Sequence, residues 1–281
     1  MAKKSKRKRL RPVEKCIFCG RANLTGEHFW PEWMSKALGV RLADGVNTST
    51  FKTGPGKGPK RVVSQATRHG NVMNLRLPVV CGKCNNEWMS QLETAVKPIV
   101  LPLLVGAPSV LDAEMQSTLA RWIFMKMMLV EQIFPTSVSF SDDQREKFLT
   151  KLEMPFQLQL WLGKTNAVNK DDEWFARAIR HSTSAALHPD PSPTITSVKN
   201  IQTLAFGTGG LFIFGLFSLY RRVPLELFFR IGRPLVQLWP VTSANLIWPP
   251  QDILSDKIAD TIANLLITRI ENPYFGTGPT K

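Results

Sequence analysis

Apolar residues recur at helical spacing in three stretches of the chain. Between Asp112 and Ile133, the residues Leu119, Trp122, Ile123, Met127 and Val130 form one stripe, behind an aspartate suited to cap the helix. The methionines of that stretch read as core packing rather than as a cofactor site. Between Asn86 and Val96, the residues Trp88, Leu92 and Val96 stand four apart on one face. A third amphipathic helix is predicted from Asp252 to Ile270, and shorter ones over Pro31–Leu38 and from Ser141 and Asp142 to about Leu152. After Leu152 the pattern becomes extended. Strands are predicted over Phe156–Leu162, Trp174–His181, Thr203–Phe206, Leu211–Leu219, Leu225–Ile231 and Leu235–Trp239. The expected class is therefore α+β, with an antiparallel sheet and helices packed against it.

The most apolar run, Ile201 to Leu219, contains Gln202, Thr203 and Thr208 and four glycines. It reads as two strands around a Thr-Gly-Gly turn rather than as a membrane-spanning helix. No apolar segment follows the basic N-terminus in the manner of a secretory signal.

Charge divides the chain. Residues 1–100 hold 19 Lys/Arg against 6 Asp/Glu, whereas residues 101–281 hold 17 against 16. The surplus points to a polyanionic partner for the N-terminal part. Met1–Arg11 has seven basic residues and no acid, as expected of a disordered arm that follows phosphates. Three regions follow: the arm (1–11), a basic module (12–97), and a near-neutral α+β region (98–281) without a catalytic signature. The last is open to homo-oligomer formation or a protein partner. Within the module, Thr53–Lys60 reads as an exposed Gly/Pro/Lys loop.

The four cysteines of the chain fall into two pairs of equal spacing, Cys16/Cys19 and Cys81/Cys84. A two-residue gap lets both thiolates of a pair reach one ion from a tight knuckle, and Gly20 and Gly82 suit such turns. Four thiolates make a closed, structural Zn²⁺ site. A reducing compartment fits this better than a disulfide framework, so a cytoplasmic location in a prokaryotic or phage setting is expected.

Between the pairs stands Glu27-His28-Phe29-Trp30-Pro31, and Asn85 directly follows Cys84. With Asn74 between, this order resembles the HNH endonucleases, the ββα-metal nucleases, over residues 13–97. The resemblance implies His28 as general base and Glu27 and Asn85 as ligands of a catalytic Mg²⁺ or Mn²⁺. Asn74 would brace the loop that carries the base, with Asn71 its rival. The substrate would be nucleic acid, with DNA expected. Read from the residues alone, other roles stay open. His28 could contact phosphate, Glu27 could pair with a lysine, and Asn85 could be a helix N-cap. His69 could add a ligand, and Trp30 and Trp33 could stack on bases or pack. The alternative is a zinc-dependent nucleic-acid-binding module without catalysis.

Overall fold

The computed structural model describes residues 13–39, 46–52, 61–68, 75–133, 138–166, 176–183, 201–219 and 234–264. In chain order these form β1 (Leu24–His28), α1 (Glu32–Ala37), β2 (Val46–Lys52), β3 (Arg61–Arg68), β4 (Arg76–Cys81) and α2 (Gly82–Cys84). A π-helical turn, Asn85–Met89, leads into α3 (Ser90–Leu104). Then come β5 (Ser109–Asp112), α4 (Ala113–Val130), α5 (Asp142–Lys151), β6 (Gln159–Thr165), β7 (Ala176–Thr183), β8 (Ile201–Thr208) and β9 (Leu211–Ser218). The last elements are β10 (Leu235–Trp239), β11 (Asn245–Trp248), β12 (Ile253–Leu254) and α6 (Asp256–Ala263). The chain is α+β, with a four-cysteine cluster near its N-terminus.

The main sheet has the order β10-β6-β9-β8-β7, all antiparallel, with β12 added parallel to the end of β6. β8 and β9 are the two strands expected around a Thr-Gly-Gly turn. Every residue of both is buried, so both faces of these strands are covered and apolar residues do not alternate with exposed ones. Gly209 turns between them at φ +54°, and Gly210 N–H donates to the carbonyl of Leu104 at 2.8 Å. Among the described residues no helix is long and apolar enough to cross a membrane.

Several boundaries differ from those expected. The helix after Cys81 starts at Gly82 rather than Asn86, and it runs through Pro98 and Pro102 to Leu104. Proline inside a helix costs about 3 kcal/mol or more. Here Val96, Ile99, Val100, Leu103 and Leu104 are all buried, and α3 lies against α4, so packing outweighs that cost. The first strand of the sheet begins at Gln159, not Phe156, which is exposed in a turn. The last helix starts at Asp256, behind a Ser255 cap, rather than at Asp252. The caps at Asp112 and Ser141 are as expected: each side chain accepts a backbone N–H three residues on.

The division at 97/98 falls within α3. One buried cluster extends across it, from Cys16, Phe18 and Phe29 to Leu204, Phe206 and Phe217. Two aromatic paths make the connection. Phe18 meets Trp88, Trp88 meets Phe148, Phe148 meets Phe124, and Phe124 meets Phe140. Phe29 and Trp30 both lie edge-on to Phe206 of β8. Trp30 is therefore a core residue and is closed to bases.

Met1–Arg11, Thr53–Lys60, His69, Asn71, Asn74 and the expected strand Leu225–Ile231 lie outside the described residues.

Candidate metal centre and histidine motif

β1 and β4 are separated by 47 residues of sequence (29–75), yet they pair antiparallel, with Leu24 opposite Cys81 and His28 opposite Arg76. β4 ends at Cys81 and turns directly into helix. The first knuckle sits beside this turn. Gly20 N–H donates to the Cys16 carbonyl, and Ile17 N–H reaches across to Val79. Gly20 has φ +69°, where an L side chain is strained. Gly82 does not have this conformation. A Cβ there would meet only Thr25 Cγ2 at 3.6 Å, so the second knuckle, which opens a helix, does not require glycine.

The four sulfurs lie within 4.8 Å of one another, with Cys19 Sγ and Cys81 Sγ 3.5 Å apart. That is too far for a disulfide, whose S–S bond is about 2.05 Å. It does fit a zinc tetrahedron, where Zn–S of about 2.3 Å gives edges near 3.8 Å. Three of the sulfurs are buried. Burial opposes ionisation of Cys81, but the backbone N–H of Cys84 and the neighbouring thiols outweigh it and bring this group down to about 7. Burial pushes the Cys84 and Cys19 thiols up. A divalent cation removes the conflict, because it stabilises all four thiolates together.

The histidine motif occupies the end of β1, just after a bulge between Thr25 and Glu27. Consecutive side chains there diverge. His28 stays partly exposed. Its Nε2 accepts from Arg76 Nε at 2.9 Å and lies 3.6 Å from Glu32 Oε1. Glu27 is buried, and its Oε1 accepts from Lys126 Nζ at 2.8 Å. The same ammonium donates to Glu93 Oε1 and to the His28 carbonyl, each at 2.8 Å. Burial works against a charge on Lys126, but the carboxylates of Glu27 and Glu93 outweigh it and hold the group above its ordinary range.

Asn85 lies inside the helical run and does not cap it. The N-cap is Cys81. The Asn85 amide nitrogen donates to Thr25 Oγ1 at 3.3 Å, and Thr25 Oγ1 donates to the Val80 carbonyl. The structure thus brings the four cysteines together. It places His28 and Asn85 on the same short hairpin-and-helix frame, and it turns Glu27 inward to a lysine. Sequence reasoning had allowed for a lysine partner without naming Lys126 of α4. It also missed Glu93 and Arg76. Lys126 was visible as a single lysine within an otherwise apolar helical stripe.

The Zn²⁺ expectation fits the donor set. The Mg²⁺ or Mn²⁺ expectation gains no support at Glu27, whose carboxylate already holds an ammonium, while the Asn85 bond to Thr25 uses the amide nitrogen and not the oxygen that would ligate.

No family model matches the chain, and no curated protein or solved structure matches it either.

Proposed function

We propose that the chain is a zinc-stapled endonuclease of the HNH type that hydrolyses phosphodiester bonds of nucleic acid, with DNA the expected substrate. One observation carries this reading. The two cysteine pairs close on each other, so that β1, β4 and the following helix form a ββα frame with His28 at its partly exposed end. The zinc would hold Cys16, Cys19, Cys81 and Cys84, with no open position for chemistry.

His28 is the group suited to take a proton from the attacking water, since its Nε2 already serves as an acceptor at the partly exposed end of β1. Arg76 donates to its Nε2 in the free protein. A phosphate oxygen competing for that guanidinium would free the nitrogen and anchor the substrate beside it. The divalent ion that such enzymes use has no ready ligand in Glu27, whose carboxylate is held by Lys126.

A second reading has its own support. Glu27 serves as an internal ion-pair partner, as in a binding module without catalysis. Nicking of supercoiled plasmid in Mg²⁺ or Mn²⁺, with single-stranded DNA and RNA as parallel substrates, separates the two. Cleavage by the wild type and none by His28→Ala, at equal zinc content and affinity, supports the nuclease. Equal cleavage by both removes His28 as base. Salt-sensitive binding with no product under any condition establishes the second reading.

A further inference from the structure

The Lys126 ammonium has three N–H groups and three oxygen partners, two of them carboxylates, all at 2.8 Å. Its side chain is 1% exposed, and the Trp122 ring lies 5.8 Å from Nζ. Glu27 is 8% exposed and Glu93 24%. Two carboxylate oxygens and a backbone carbonyl converging on one point are a hard-cation donor set, the kind that takes Mg²⁺ at about 2.0–2.1 Å or Ca²⁺ at about 2.3–2.6 Å. In this chain the point is filled by a tethered nitrogen. We infer that Lys126 is a built-in cation at Glu27 and Glu93, and that Glu27 binds no divalent ion while Lys126 is in place.

This inference stands on the triad alone and does not depend on the nuclease reading. The physical reason is competition. A divalent ion entering at Glu27 would have to displace an ammonium whose donors are all satisfied and whose side chain is buried. Lys126 would also have to leave the His28 carbonyl, and so would loosen the end of β1. The lysine comes from α4, outside the segment that resembles HNH enzymes. It therefore determines from the second region which cation the motif accepts.

The test is direct binding of Mn²⁺ to the zinc-loaded full chain, read by the loss of free-Mn²⁺ paramagnetic resonance, with no activity involved. In the wild type, Glu27→Gln is expected to leave the Mn²⁺ isotherm unchanged. Lys126→Ala vacates the nitrogen and leaves both carboxylates, so it is expected to gain at least tenfold in Mn²⁺ affinity. Adding Glu27→Gln should abolish that gain. A wild-type Mn²⁺ site lost in a zinc-loaded, folded Glu27→Gln variant would overturn the inference. So would a folded Lys126→Ala variant without the gain. Should Lys126→Ala fold only when Mn²⁺ is supplied, that rescue counts as the gain. If it folds in neither condition, the wild-type and Glu27→Gln pair decides alone. Failure here leaves plasmid cleavage by His28 untouched, and the reverse also holds.

Discussion

Replacing Phe206 by alanine probes whether the motif-bearing module and the sheet are one structure. Phe206 is 1% exposed, and the rings of Phe29, Trp30 and Trp122 lie 5.9, 5.4 and 6.4 Å from its own. Truncating a buried phenylalanine costs about 3–5 kcal/mol, and edge-on aromatic pairs of this kind hold about 0.5–1.5 kcal/mol each beyond their area. The upper half of the first range is expected, because two of the three neighbours come from the motif and cannot follow the cavity. At roughly 2–4 °C per kcal/mol for a chain of this size, the melting temperature should fall on the order of 10 °C. The assay is urea unfolding followed by tryptophan fluorescence and, in parallel, by zinc release to a coloured chelator. Both transitions should coincide in the wild type and shift together in Phe206→Ala. Zinc release at an unchanged urea concentration, while fluorescence shifts, would refute the shared core.

Two further outcomes are expected. Glu131 is fully buried against Arg145 and accepts the Ser139 N–H, yet burial still holds its carboxyl above the ordinary value. Arg145→Met should cost about 3–5 kcal/mol near neutral pH, because it leaves a buried carboxylate without its partner. A carboxyl whose folded-state pKa is raised binds protons more readily folded than unfolded. Stability therefore falls as pH rises from the unfolded value of 4.5 through the folded one, and the deficit of Arg145→Met should shrink as pH is lowered toward that unfolded value. A deficit that grows on acidification, in denaturant titrations at both pH values, would contradict this. Gly209→Ala should destabilise by about 1–3 kcal/mol, since φ is +54° and the new Cβ would stand 2.7 Å from the Leu104 carbonyl oxygen. An unchanged unfolding midpoint would show that this turn is not docked on the end of α3.

Much of the fold was legible in the chain because local rules and tertiary packing agree there. The stripe from Leu119 to Val130 buries as a helix, Asp112 caps it, and the run from Ile201 to Leu219 breaks at Gly209 and Gly210. The paired spacing of the cysteines was enough to expect their convergence, and they do converge. Sequence reasoning failed where long-range partners decide. The helix expected to end at Val96 continues through Pro98, because the apolar face that carries α3 onward is satisfied by α4. Gly82 looked like a required knuckle glycine, but the chain turns helical there. Glu27 looked like a metal ligand because its neighbours in sequence suggest one. Its actual partner is 99 residues away, and a lysine in an apolar stripe was the one local hint.

The most direct measurement is the metal content of the purified full chain, with Co²⁺ exchanged for the native ion as a report on its ligands. One zinc per chain is expected, and a Co²⁺ form whose strong visible absorption signifies four sulfur ligands in a tetrahedron. Cys84→Ser should weaken both and lower the unfolding midpoint. A wild-type chain that folds with no zinc, or a Co²⁺ spectrum of oxygen and nitrogen ligation, would mean that the cysteines do not close on an ion and that nothing staples His28 into a ββα frame.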